Sequence, residues 1–318
     1  MLRIAYRPIA LLLCTVALVG LIAVRPLSTY AEAARAGRAL PRASAPAALR
    51  VWPASHPSHA QLRRAETAGF PAPARAAPVV KQVPARIEGA GPRMRGELVA
   101  QTERLDLYVG KSTFSPNQIK ALSAKFERVL RAAEDQFGTT LKHRVSIGFY
   151  RTPPKKGVRG MAYTSEARVE LYYRPGEDTG RAVTIVMHEL GHHLEAQRYG
   201  EAAQRRADTI LHEGLATWIA SIRWLDQCDA SSWRERARQL RGAGIPLRLT
   251  TAERSGADNA YELWASFVDY LTRQYGWKKF DALYASGRGR APGSASYQKV
   301  LGKSLDELAD EWRAWVTQ

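Results

Sequence analysis

The chain has 318 residues, 45% hydrophobic and 24% charged, which is enough for one sizeable core or two small ones and excludes a short peptide or a fibre. Its two cysteines, Cys14 and Cys228, exclude a disulfide framework and a Cys-rich zinc module, so any bound metal must be held by His and carboxylate. The formal charge of +17 is unevenly spread: residues 1–30 carry +3, residues 31–97 carry 11 basic against 4 acidic side chains, and residues 98–318 carry 33 against 26. More than half of the excess therefore sits outside the part that can fold, and nucleic acid is not an expected partner. A basic chain outside the cytoplasm is drawn instead to anionic lipid or cell-wall polymer.

Arg3 and Arg7 precede a run from Ile9 to Val24 that carries no charge, the layout of a secretory signal. Residues 1–33 are thus expected to be a signal peptide, cleaved near Ala31-Glu32-Ala33, or, left uncleaved, a membrane anchor; either form exports the chain to the periplasm or cell envelope. Residues 34–96 are filled with Ala, Pro and Arg and have hardly any periodic apolar pattern. Such a segment buries too little surface to offset its ordering entropy and is expected to be a disordered linker.

From residue 97 onward the pattern is that of one α+β domain, a small N-terminal sheet followed by a mostly helical C-terminal part. Leu105 to Val109 and Val145 to Tyr150 read as strands, and Pro116 to Phe137 reads as a helix opened by Ser115-Pro116. Met161 to Tyr173 reads as two short strands around Ser165-Glu166, with Arg168 to Tyr173 expected at a sheet edge where an extended peptide can pair. Helices are expected near 181–198, 207–224, 230–241, 257–275, 277–285 and 304–316. Glycines 157 to 160 and 287 to 293 are expected in connecting loops. Seven of the eight tryptophans lie between Trp218 and Trp315 at helical spacing, the arrangement of core aromatics.

The helix over 181–198 contains His188-Glu189-Leu190-Gly191-His192. Two histidines four apart stand one turn apart on one helix face, with Cβ atoms roughly 5 to 6 Å from each other, close enough for both rings to reach one zinc ion. Glu189 projects about 100° round the helix from His188, beside the metal and placed to hold its water. Val183, Met187, Leu190 and Leu194 supply a separate apolar stripe, so the two histidines are not needed for packing. His193 points away from His192 and is expected behind the site or in solvent.

A catalytic zinc takes three protein ligands and keeps one position open. Glu195 and Arg198 occupy the positions where a metzincin has Gly and His, which excludes that class. The preferred third ligand is Glu213, 21 residues after His192, on a helix whose Leu211, Leu215, Trp218 and Ile222 form one stripe while Gly214, Ala216, Thr217 and Ala220 allow close approach on another side. Two other readings compete: Glu213 as a helix-capping or dipole residue, and His212 as the ligand in its place.

His188-Glu189-Leu190-Gly191-His192 followed by Glu213-Gly214-Leu215-Ala216, the run from Tyr261 to Gly276, and Leu301-Gly302-Lys303-Ser304-Leu305 with Trp312 resemble the gluzincin zinc metallopeptidases, in particular the bacterial peptidase MA-like domains. The resemblance covers about residues 100–318 and implies a zincin-like fold. It implies that His188, His192 and Glu213 bind Zn2+, that Glu189 is the general base, and that Tyr261 steadies the oxyanion. Where the family often has a hydrophobic pair before Glu-Gly-x-Ala, this chain has Leu211-His212. The expected function is zinc-dependent hydrolysis of peptide bonds in peptide or protein substrates of the bacterial cell envelope. The alternative is a non-catalytic zinc-containing protein that binds envelope peptides or anionic polymers.

Overall fold

A computed structural model of the chain describes residues 94–111 and 113–318. The expected leader, and the expected linker up to residue 93, lie outside the described residues. Five strands form one sheet: β1 (Glu97–Gln101), β2 (Leu105–Val109), β3 (Val145–Tyr150), β4 (Gly160–Tyr163) and β5 (Arg168–Tyr172), in the spatial order β1-β2-β3-β5-β4. β2, β3 and β5 run parallel in the middle, and β1 and β4 lie antiparallel at the two edges. The expectation that 168–173 is an edge strand is therefore wrong. β5 is paired on both sides, and the edge is β4, because the chain turns back at Thr164–Glu166 and lays β4 outside β5. The alternation of Val169, Leu171 and Tyr173 could not distinguish these cases, since it reports which face is buried and not which neighbours pair.

Leu105, Leu107 and Val109, Val145, Ile147 and Phe149, and Val169 and Leu171 share one sheet face and are buried. Two helices cover it: α1 (Pro116–Phe137) and α2 (Thr179–Tyr199). α1 starts at a reciprocal Ser115–Gln118 capping box, with Pro116 at its first position and no donor to waste. Phe126 of α1 stacks on Phe149 of β3. On the other face Asp106, Ser146, Arg168 and Glu170 are buried yet polar, and Arg168 is satisfied by Glu166 and Glu170. β1 went unread because only Val99 and Ala100 of it touch the core.

The helical part comprises α3 (Glu201–Arg206), α4 (Thr209–Ile219), α5 (Ser221–Gln227), α6 (Trp233–Gly242), α7 (Ala257–Ala285), α8 (Tyr297–Leu301) and α9 (Leu305–Thr317). The single helix expected over 207–224 is two, broken at Ala220, where the Ser221 hydroxyl turns back onto the Trp218 carbonyl. α3 and α8 are too short to show a period, and they were not expected. Gly276 (φ 77, ψ 161) interrupts α7 at the boundary expected between 275 and 277. Trp312 of α9 is fully buried and donates from its indole to Ser266 Oγ of α7 at 3.1 Å.

α4 lies between α2 and α7, and small residues let it approach both. A Cβ at Gly191 would stand 3.1 Å from the Ala216 Cα, and one at Gly214 would stand 2.7 Å from the Trp264 carbonyl oxygen. That closeness brings the middle turns of α2 and the first turns of α4 within ligand distance of each other. Among the described residues no helix is long and apolar enough to cross a membrane.

Candidate metal centre

α2 begins at Asp178, whose carboxylate accepts from the Gly180 and Arg181 amides. Val183, Val186, Met187, Leu190 and Leu194 pin the helix to the core. That orientation leaves His188 and His192 on the side facing α4, buried to 5% and 7% residual exposure. Asp208 caps α4 by accepting from the Ile210 amide, so Glu213, a full turn further along, is not the cap. Its side chain is 24% exposed and turned toward the two imidazoles.

Glu213 Oε2 lies 3.3 Å from His188 Nε2 and 3.6 Å from His192 Nε2, and the three ligand atoms all lie within 4.8 Å of one another. Tetrahedral zinc with bonds of about 2.0 to 2.1 Å sets its ligand atoms about 3.3 to 3.4 Å apart, close to the two separations from Glu213 to the imidazoles. His192, Glu195 and His212 form a second such group. There the imidazole-to-carboxylate separations are 3.0 Å and 2.8 Å, which is hydrogen-bond length and tighter than a zinc polyhedron.

The outer nitrogens of both candidate ligands are occupied. Thr217 Oγ1 donates to the Glu213 carbonyl at 2.8 Å, so its oxygen accepts from His188 Nδ1 at 3.2 Å. Glu195 Oε2, which as a carboxylate oxygen can only accept, takes the proton of His192 Nδ1 at 3.0 Å. Each pairing leaves Nε2 as the atom facing Glu213, the arrangement that a neutral histidine needs to offer a lone pair to a metal.

Glu189 stands beside this triangle against the edge strand. Its carboxylate fills the space where a Cβ at Gly160 would go, and the Ala162 backbone bonds to it. Burial raises its pKa, the His188 and His192 imidazoles oppose that, and Glu213 adds to the rise. Gly160 is thus no connector, contrary to the loop expected there: it opens β4 and makes room for the Glu189 carboxylate. Tyr261 of α7 stacks its ring on His188 at 5.4 Å and 22°. Burial, then the Glu213 and Glu189 carboxylates, push its phenol pKa up, so it stays protonated.

His193 is fully buried, with Nε2 3.2 Å from the Arg168 carbonyl, which ties α2 to β5; it is not in solvent. Burial lowers its pKa to about 3, so it is neutral at ordinary pH. His212 faces Glu195 through Nδ1 and stacks on the His192 ring at 4.2 Å, while its Nε2 lies 3.9 Å from Glu213 Oε1. Sequence reasoning missed Gly160, Thr217, Gln204 and Tyr284, whose places depend on β4 and on helix packing that no local pattern reports.

Burial lowers the His192 pKa, but the carboxylates of Glu195 and Glu213 outweigh it and hold that imidazole well above its usual value. An ion bound at His192 Nε2 competes with a proton that these carboxylates favour, so zinc affinity is expected to fall as the pH is lowered. Below the raised pKa, zinc affinity is expected to fall about tenfold per pH unit, with about one proton released per ion. Calorimetry in two buffers of different ionisation enthalpy measures the proton count, and pH-independent uptake between pH 6 and 8 contradicts the arrangement.

No family model matches the sequence, and no curated protein is similar to it. Solved structures similar to the chain include an M1 zinc metallopeptidase from Deinococcus radiodurans, at 18% identity and a TM-score of 0.38. Another is a mutant two-domain M1 zinc metallopeptidase bound to L-arginine, at 19% identity and a TM-score of 0.36. Each alignment covers 67% of this chain and 48% of the other, so the chain spans about half the length of these neighbours. At so distant a likeness, what the site can do follows from its own side chains.

Proposed function

We propose that the chain is a zinc-dependent peptidase with a zincin-like domain over residues 97–318, acting on peptides or proteins in the cell envelope. The observation that carries the proposal is the convergence of His188 Nε2, His192 Nε2 and Glu213 Oε2, the carboxylate oxygen 3.3 and 3.6 Å from the two nitrogens, with Glu189 alongside. Location outside the cytoplasm belongs to the same proposal and rests on the apolar leader and the linker after it.

In this reading His188, His192 and Glu213 hold the ion, which when bound supplies a Lewis acid for the scissile carbonyl and an acidified water. Glu189 would take a proton from the attacking water and pass it to the departing amine, a role favoured by its raised pKa and its place against β4. Tyr261, kept protonated beside the carboxylates, donates toward the oxygen on which negative charge develops. The substrate lies extended along β4, the terminal strand of the sheet on that side and the one that touches Glu189.

The test is zinc content and cleavage of unstructured protein and cell-wall peptides by the full-length chain, beside Glu213→Ala. The parent is expected to hold one zinc and cleave, whereas Glu213→Ala is expected to lose at least a hundredfold in zinc affinity and to lose turnover with it. Full retention of zinc by Glu213→Ala would remove it from the ligand set. Zinc held by a parent that cuts none of the substrates would favour the non-catalytic binding protein.

A further inference from the structure

Two departures lie within one turn of the candidate ligands. Glu195 is a carboxylate three residues after His192, with no exposure, and His212 is a buried histidine where the resembling family often has a hydrophobic residue. Each is costly alone, because a buried ionisable group without partners loses its hydration with nothing in return. The structure brings them together, and it adds two further donors.

Glu195 Oε2 accepts from His192 Nδ1 at 3.0 Å, from the Tyr284 hydroxyl at 3.1 Å and from Gln204 Nε2 at 3.4 Å, and it lies 2.8 Å from His212 Nδ1, which also reaches the Tyr284 hydroxyl oxygen at 3.2 Å. Glu195 Oε1 has no partner among the described residues, so this buried anion is held through one oxygen. These groups come from separate elements: His192 from α2, Gln204 from α3, His212 from α4 and Tyr284 from α7. Gln204 also donates to the His192 carbonyl at 2.6 Å, and Tyr284 is clamped by the Tyr199 ring at 4.1 Å. Two imidazoles, a phenol and an amide nitrogen thus all face one buried Glu195 oxygen.

We propose that Glu195 is a positioning residue, held by His212, Tyr284 and Gln204, that fixes His192 with its proton on Nδ1 and so presents Nε2 to the ion. His212 then acts through Glu195 and is not itself a ligand, and the polar residue at 212 and the carboxylate at 195 account for each other. The inference rests on the metal-site reading above. It also predicts one ion per chain, because the His192–Glu195–His212 group is hydrogen-bonded and does not bind a second ion.

The test uses the full-length chain, with zinc affinity by chelator competition, the visible spectrum of the cobalt-loaded form, and thermal melting of the metal-free form. Glu195→Gln is nearly isosteric, but its amide can present a donor to His192; it is expected to bind zinc 10- to 100-fold more weakly and to shift the cobalt spectrum. His212→Leu is expected to lose several-fold, and Glu195→Gln/His212→Leu to bind no more weakly than Glu195→Gln alone. Should Glu195→Gln fail to fold, Tyr284→Phe removes a single donor and is expected to weaken zinc a few-fold with the cobalt spectrum moved in the same sense. Unchanged affinity and spectrum in Glu195→Gln, or in Tyr284→Phe if that is the variant that folds, overturn the inference and leave the peptidase reading standing. Additive losses in the double variant, or two ions per chain, remove the role given to His212. A parent that takes up no zinc overturns both readings.

Discussion

On the peptidase reading, replacing Glu189 with Gln is expected to cut peptide turnover by about 10²- to 10⁴-fold, the range that a positioned general base contributes, with zinc uptake unchanged. The two halves of that result come from different atoms. The candidate ligands are His188, His192 and Glu213, and none of their ligand atoms is touched by the change. Gln keeps the shape of Glu but has no carboxylate to take a proton, so kcat should fall with metal content intact. Steady-state kinetics beside metal analysis separates these outcomes. A Gln variant with parental kcat would place the base elsewhere, and one that lost its zinc would make Glu189 a structural support of the site.

Gly160→Ala is expected to lower kcat by about a hundredfold, the cost of moving a catalytic group by roughly 1 Å, with zinc affinity unchanged. The cause is steric and local. The new methyl would overlap Glu189 Oε1 and stand 2.7 Å from Ile185 Cγ2, so the carboxylate has to swing away from the position that β4 now gives it. Gly242→Ala is the control, since a Cβ there meets nothing within 4 Å. Because the effect runs through Glu189, adding Gly160→Ala to Glu189→Gln should cost almost nothing further. A Gly160→Ala variant with parental kcat would show that β4 does not set the position of Glu189.

The helix carrying His188 and His192 was legible because its signals are local: an apolar stripe with 3.6-residue period and two histidines at ligand spacing. Glu213 was legible as a candidate by its distance along the chain and by the small residues around it. That Asp208 and not Glu213 caps α4, and that His212 Nδ1 faces Glu195, could be seen only in the packed helices. β4 and β5 show the opposite case. Both read as strands, yet their order in the sheet was misjudged, since side-chain alternation says nothing about which strand lies outside.

By itself the sequence determined an α+β domain, the positions of its long helices and the presence of a His-Glu-x-x-His turn, because apolar period and metal-ligand spacing are properties of neighbouring residues. The tertiary structure decided which strand is the edge and that Gly160 makes room for Glu189. It decided as well that Thr217 and Glu195 orient the two imidazoles and that Gln204, His212 and Tyr284 converge on one buried oxygen. Those relations join residues up to 89 positions apart. They exist only after the helices have packed, so no window along the chain contains them.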